Sequence, residues 1–139
     1  MTIWENLEMR GALWMSLVVW CVWGGDAYAE RLICDVEKFV ICSSKGCEGV
    51  DPEQRYTLID TEQRLYNLCS WRRSKCDYFE LSEVIRSGVY VFFKTGSASY
   101  LKMAVEGVEL FEIKQGQFSE VRDAGPPTFL SWGTCKRVN

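Results

Sequence analysis

The chain has 139 residues, of which 47% are hydrophobic and 25% are charged, and its formal net charge is −3. It contains no histidine, so it has neither an imidazole base nor a histidine metal ligand. Its charges nearly balance, which gives no global positive field of the kind that attracts nucleic acid, and we expect no nucleic-acid partner.

The first segment predicts export. Residues 11–23, "GALWMSLVVWCVW", are uncharged and precede a small residue at Ala29. This pattern is typical of a signal peptide over 1–29 that is cleaved after Ala29, with Met9 as an alternative translation start. A spanning helix needs about 20 apolar residues, so we expect no transmembrane anchor in the mature chain. Residues 30–139 are then one domain, periplasmic or secreted.

Short runs rich in Val, Tyr and Phe alternate with turn signals through the mature chain, as in antiparallel strands. The predicted strands, in chain order, are 31–42, 56–60, 64–69, 76–81, 89–94, 100–105, 108–114, 117–121 and 128–135. The first of these could also form one short helix, but a strand is favoured because Cys34 is expected to meet Cys135. The stretch "SEVIRSG" is interpreted as a connection to a turn at Ser87 and Gly88. "DAGPP" (123–127) is predicted as a loop, because proline cannot join a strand ladder.

These elements predict an all-β fold: a small antiparallel meander of about eight strands that closes as a barrel or rolls tightly. Joining the first strand to the last would remove the exposed edges of the sheet.

Six of the seven cysteines lie in the mature chain, which predicts a disulfide framework in an exported protein of this size. Two pairs bracket turn-like stretches, "SSKG" and "SWRRSK", that are short enough to close locally, and the remaining cysteines lie near the two ends of the mature chain. The expected disulfides are Cys34–Cys135, Cys42–Cys47 and Cys69–Cys76.

The same spacing argues against metal or redox chemistry. The local pairs are separated by four and six residues, whereas zinc sites usually space their cysteines by two to four, often with histidine, and thioredoxin-like sites by two. We expect neither a metal ion nor a cofactor.

The stretch "CSWRRSKC" is the leading candidate for a binding surface. It concentrates Trp71, Arg72, Arg73 and Lys75 at one hairpin tip, and Trp and Arg are the residue types that dominate binding hot spots. Such a tip fits an acidic protein surface or another anionic component of the cell envelope. In the alternative interpretation, Trp71 folds back over a barrel end and the basic residues are ordinary solubilising charges.

Catalysis would have to use paired carboxylates, such as Asp35 with Glu37 or Glu109 with Glu112. Closely spaced carboxylates on strands usually form a solvated face, and a small barrel with a filled core leaves little room for a cleft. If all six cysteines are bridged, no thiolate nucleophile remains. We therefore predict that the protein is not an enzyme.

Motifs along most of the mature chain resemble a known group of proteins. These are "LICDVEKFVICSSKGCEG", "CSWRRSKCDYFE" and the closing "FLSWGTC". In order and spacing they resemble small exported proteins of alphaproteobacteria that carry six cysteines and end in a Gly-x-Cys strand. The resemblance implies export and disulfide bonding, but no particular activity.

A local resemblance gives a second hypothesis. "SGVYVFFKTGSASYL" (87–101) resembles a strand pair of the bacterial inhibitors of c-type lysozyme, which are small exported antiparallel barrels tied by a disulfide. The resemblance implies that Ser87 and Lys94 reach toward the carboxylates of a lysozyme cleft, with Gly88 and Tyr90 in the same motif. A hairpin with a Ser-Gly turn explains the same residues.

The sequence thus favours a non-catalytic, exported binding or interaction protein of the cell envelope. An inhibitor of c-type lysozyme and a structural envelope protein without a discrete site are the alternatives.

Overall fold

The computed structural model describes residues 30–96, 99–123, 125 and 127–138, so the predicted signal peptide lies outside the described residues. The described residues form nine antiparallel strands and one 3-10 turn at Glu109–Phe111. The strands are β1 (Arg31–Ser43), β2 (Gly46–Val50), β3 (Arg55–Asp60), β4 (Leu65–Ser70), β5 (Lys75–Ser87), β6 (Tyr90–Thr95), β7 (Ser99–Ala104), β8 (Gln117–Asp123) and β9 (Thr128–Arg137). Within these residues, no helix is long and apolar enough to cross a membrane.

Eight of the strands close into a barrel, which confirms the all-β prediction. Strands β3 to β9 pair in chain order, and β1 pairs with β3 on one side and with β9 on the other. Strand β2 is a ninth strand that extends the sheet by pairing with the last five residues of β1. Closure gives each of the eight barrel strands a neighbour on both sides, with β5 pairing with β4 through its first six residues and with β6 through the rest.

The seam between β1 and β9 depends on one glycine. The register of this pair shifts between Val36 and Lys38, which marks a bulge in β1. A Cβ atom on Gly133 would lie 1.9 Å from the carbonyl oxygen of Asp35 and 2.9 Å from the ring of Phe118. Only glycine lets the two backbones approach this closely, which is a physical reason for the glycine in the closing "WGTC".

The core fills one half of the barrel, which we call the filled half. Its end carries the β3–β4 turn, the β5–β6 turn and the loop 105–116. The core side chains point inward at alternate strand positions, and the largest of them are fully enclosed. They are Leu32, Ile59, Tyr66, Leu81, Val91, Phe93, Leu101, Met103 and Phe118.

The other half, which we call the open half, ends where β4 turns into β5 and where β8 ends and β9 begins.

The three disulfides have the pairing that the spacing predicts. Cys34–Cys135 joins β1 to β9 inside the barrel, where the two residues are direct partners in the ladder. Cys42–Cys47 joins β1 to β2, and Cys69–Cys76 joins β4 to β5. The first bridge spans 101 residues of sequence and locks the seam at which the barrel closes.

The predicted strand at 108–114 is wrong. This segment contains the 3-10 turn at Glu109–Phe111, a single bridge between Val108 and Ile113, and a left-handed residue, Glu112, at φ 53°. Leu110 and Phe111 are adjacent, so a strand would place them on opposite faces; instead both project outward, 85% and 70% exposed.

Two further strand assignments differ from the prediction. "SEVIRSG" is not a connection, because β5 continues through a bulge near Ser82 to Ser87. Strand β2 was not predicted, because its two glycines give it low strand propensity. All five of its residues are exposed, and pairing with β1 and the Cys42–Cys47 bridge hold it in place.

Candidate functional site

Three strands carry the same inward pattern from the filled half to the open half. Each presents an apolar residue, then a polar or acidic residue, then a cation. These triplets are Ile59–Thr57–Arg55 on β3, Phe79–Asp77–Lys75 on β5 and Phe118–Glu120–Arg122 on β8. Because inward positions recur every second residue, the pattern brings the three cations to the same end of the barrel.

The barrel interior in the open half forms a recess of about 170 Å³. Its apolar wall includes Val36, Phe39, Leu68 and Phe129, and it is lined by four cations and two carboxylates. The charged lining residues are Arg55, Arg73, Lys75, Arg122, Asp77 and Glu120. We call this cavity the recess. Mouths of small β-barrels are common ligand sites.

Two arginines and two aromatic rings form a row across four neighbouring strands, β3, β1, β9 and β8. The guanidinium carbon of Arg55 lies 4.2 Å from the ring centroid of Phe39. Phe39 stacks on Phe129 at 5.9 Å with an interplanar angle of 7°. The guanidinium carbon of Arg122 lies 4.6 Å from the centroid of Phe129. Each aromatic face thus positions one cation by a cation–π contact.

A buried carboxyl lies at the floor of the recess. Glu120 is 6% exposed, and its Oε2 accepts a hydrogen bond from the hydroxyl of Thr57 at 2.9 Å and another from the hydroxyl of Tyr66. Burial raises the pKa of Glu120, although the two hydrogen bonds and Arg122 act to lower it. Burial and the nearby Glu120 raise the pKa of Tyr66 well above its ordinary value.

The predicted tip contributes two of its four residues to the recess. Arg73 and Lys75 line it, whereas Trp71 and Arg72 do not. Arg73 lies 2.9 Å from the carboxylate of Glu53, which also lies 3.8 Å from Arg55. Glu53 therefore links the tip to the rim of the recess.

Trp71 and Arg72 extend the same surface outside the recess. Trp71 stacks on Tyr56 with ring centroids 4.5 Å apart and stays 59% exposed. Its backbone N–H donates to the carbonyl oxygen of Gln54, so the tip is fixed against the β2–β3 loop. Arg72 lies 4.0 Å from Asp51, at the limit of an ion pair, with its side chain 65% exposed.

The residues of the lysozyme-inhibitor hypothesis lie apart from this site and partly from one another. Ser87 and Gly88 form the exposed β5–β6 turn at the filled end, and Ser87 pairs with Tyr90. Lys94 lies four residues further along β6, which is about 13 Å along a strand. The structure therefore does not bring Ser87 and Lys94 together.

Tyr90 borders a second concavity, a more open groove of about 630 Å³ that also contains Trp132. The ammonium of Lys102 lies 4.7 Å from the Tyr90 ring centroid in this groove.

The carboxylates considered for catalysis take part in other contacts or project from a loop. Asp35 lies 3.7 Å from the ammonium of Lys136, and Glu37 accepts a hydrogen bond from Thr134. Glu109 and Glu112 belong to the exposed 105–116 loop. Across the part of the chain that the structure describes, no three Cys, Asp or Glu residues converge as metal ligands.

Sequence reasoning missed the residues of the recess other than Arg73 and Lys75. The missing signal was the repeated inward triplet, which is visible in the sequence only once the inward register of each strand is known. Phe39, Phe129 and Glu120 were hidden because each looks like an ordinary strand residue in its own segment.

Comparison with protein-family models, curated proteins and solved structures finds no match for this chain.

Proposed function

We propose that the protein is an exported, non-catalytic binding protein of the cell envelope that captures an anionic partner with the open end of its barrel. The observation that carries the proposal is the convergence of Arg55, Arg73, Lys75 and Arg122 around one recess. Exposed Trp71 and Arg72 widen the same surface. Three disulfides are typical of proteins outside the cytoplasm and support the proposed export.

The proposal is tested by capture from envelope extract with the full chain exported through its own leader and purified oxidised. Arg72→Ala with Arg73→Ala should weaken capture of the partner. The melting temperature should stay almost unchanged, because exposed ion pairs contribute at most about 1 kcal/mol.

Lys136→Ala with Arg137→Ala is the matched control. These adjacent cations lie at the filled end, are 73% and 69% exposed, and form ion pairs of 3.7 and 2.9 Å, much like those of Arg72 and Arg73. Equal capture by both double variants, or no captured partner at all, would contradict the proposal. Peptide mapping of the same sample without reduction checks the three bridges.

Inhibition of a c-type lysozyme is the second candidate. It is favoured by the eight-stranded barrel with a bridge between Cys34 and Cys135, which is the architecture that the local resemblance implies. A turbidity assay with c-type lysozyme tests it, and inhibition should weaken on Ser87→Ala. Full lysozyme activity in the presence of excess protein would remove this candidate.

A structural envelope protein without a discrete site is the third candidate. It has the least support, because such a protein gains nothing from a charged recess. Capture that depends on no surface residue would favour it.

A further inference from the structure

The recess departs from the way the rest of the barrel interior is built. Inward positions of the filled half hold apolar side chains, whereas the recess is lined by four cations and two carboxylates. Among these charged side chains Glu120 is buried, and enclosing a charged group costs free energy relative to apolar packing. Local departures from packing rules of this kind concentrate at functional sites.

The volume of the recess limits what can enter. It measures about 170 Å³, and an apolar cavity of about 150 Å³ in another protein holds benzene. Phe39, Phe129 and Leu68 give it an apolar wall. A group the size of one six-membered ring therefore fits inside it.

Each of the two arginines that lie on aromatic rings can bind an anion. A guanidinium that lies on an aromatic face keeps its in-plane N–H donors available, and their fork matches the two oxygens of a carboxylate. Among the described residues, no carboxylate lies within 4.0 Å of the Arg122 guanidinium. Arg55 has one such neighbour, Glu53, at 3.8 Å.

The buried Glu120 restricts the charge of the ligand. Above the raised pKa of Glu120, its ionised carboxylate repels a second negative charge, and it repels a dianion more than a monoanion. The hydroxyls of Thr57 and Tyr66 both donate to Glu120, so its Oε2 is held in place. A singly charged carboxylate therefore suits the recess better than a doubly charged phosphate monoester.

We infer that the recess binds a single carboxylate carried on a flat apolar group about the size of a benzene ring, with Arg122 as its hydrogen-bond donor and Arg55 as a second cation on the same wall. The inference rests on the proposed function and names the ligand class of the same barrel end. The apolar group packs against Phe39 and Phe129, and the tip remains free to contact the rest of a larger partner.

Benzoate is the direct probe. The oxidised chain, labelled with ¹⁵N, is titrated with benzoate while backbone amide and arginine Nε–H signals are recorded. Saturable shifts should be confined to the recess, with an affinity in roughly the millimolar range for so small a ligand. Benzamide, the neutral analogue, should bind at least about tenfold more weakly, because hydrogen bonds to a charged group are lost. Phenyl phosphate, measured above its second pKa, should also bind more weakly than benzoate.

Arg122→Gln should weaken benzoate binding by about tenfold or more. Arg137→Gln, which removes an exposed cation at the other end, should leave it unchanged. Arg55→Gln provides a second variant if Arg122→Gln does not keep the native spectrum. The inference is overturned if benzoate gives no saturable shift, if benzamide binds equally well, or if Arg122→Gln and Arg55→Gln both bind like the unchanged protein.

The two proposals fail in different ways. Capture that depends on Arg72 and Arg73 without benzoate binding would remove the ligand class and keep the binding function. Benzoate binding without any captured envelope partner would keep the recess as a carboxylate site and remove the proposed function.

Discussion

The two halves of the barrel are built from the same eight strands but use their inward positions differently. In the filled half these positions hold Tyr66, Phe93 and other apolar side chains that are almost fully enclosed. In the open half they hold Arg55, Lys75 and Arg122 around a cavity. The difference indicates that one half stabilises the fold, and it leaves the other half available for binding.

The ends also differ in what they expose. The 105–116 loop at the filled end projects Leu110 and Phe111 into solvent beside Glu109 and Glu112. The open end exposes Trp71 and a group of cations. The molecule therefore has an acidic, apolar projection at one end and a basic recess at the other.

The largest expected effect comes from the seam that both halves share. Replacing Cys34 and Cys135 by serine should lower the free energy of unfolding by about 4.7 kcal/mol, because the bridge closes a loop of about 100 residues in the unfolded chain. Replacing Cys42 and Cys47 should cost about 2 kcal/mol, since that loop is short. Guanidinium chloride titration of both double variants measures the difference, and equal losses would contradict the assignment of the seam as the main covalent constraint.

Matched aromatic truncations test the division between the halves directly. Phe93→Ala removes a side chain that is 0% exposed and should cost about 3–5 kcal/mol. Phe129→Ala removes a ring beside an existing cavity and should cost less than about 2 kcal/mol, because it buries less area. Comparable losses in urea titration would show that the open half is packed as tightly as the filled half.

Glu120, in the open half, makes the free energy of unfolding depend on pH. Burial raises its pKa above the ordinary value of 4.5, so the folded protein holds a proton that the unfolded chain has released. The contribution of Glu120 to the free energy of unfolding is therefore complete below about pH 4.5, and it decreases as the pH rises through the folded-state pKa. Glu120→Gln should remove this decrease, as measured by unfolding free energies from pH 4 upward.

The pKa shift of Asp60, in the filled half, has the opposite sign to that of Glu120, so Asp60 serves as an internal reference. The backbone N–H of Gln63 and the guanidinium of Arg31 lower its pKa, so its contribution is lost as the pH falls below the ordinary value of 3.8. Glu120→Gln should leave this loss of stability at low pH unchanged. If the stability of Glu120→Gln still decreased with rising pH as it does in the unchanged protein, the role given to Glu120 would be contradicted.

The smallest effect is expected at the projecting loop. Leu110→Ser with Phe111→Ser should change the free energy of unfolding by less than about 0.5 kcal/mol, because both side chains are largely exposed. Binding of a hydrophobic dye should decrease. A loss of more than about 1 kcal/mol would show that these side chains pack against the barrel.

Much of the fold could be predicted from the sequence because strands with one buried face alternate in polarity. Strand β7 shows this clearly: Leu101 and Met103 face the core, and Lys102 between them faces outward. The strand prediction for 108–114 was wrong because its apolar residues do not alternate with polar ones. Such residues have strand propensity, but a strand could not bury them on one face. Strand β2 was not predicted for the opposite reason: its residues are poor strand formers, and a neighbouring strand and a disulfide hold them in place.

The candidate site was predictable only in its outer part. Trp71, Arg72, Arg73 and Lys75 are adjacent in sequence, so their composition alone indicates a binding tip. Arg55 and Arg122 are 67 positions apart, and nothing local in either strand indicates that they share a recess.

The sequence by itself determined the strand periodicity, the export signal pattern and a disulfide arrangement that cysteine spacing makes natural. These properties follow from local chemistry, since propensity, turn residues and short loops act over a few positions. Only the tertiary structure decided which face of each strand points inward and which strands become neighbours, because pairing of β1 with β9 closes the barrel. That closure fixes the register, and the register brings distant cations and aromatic rings around one recess.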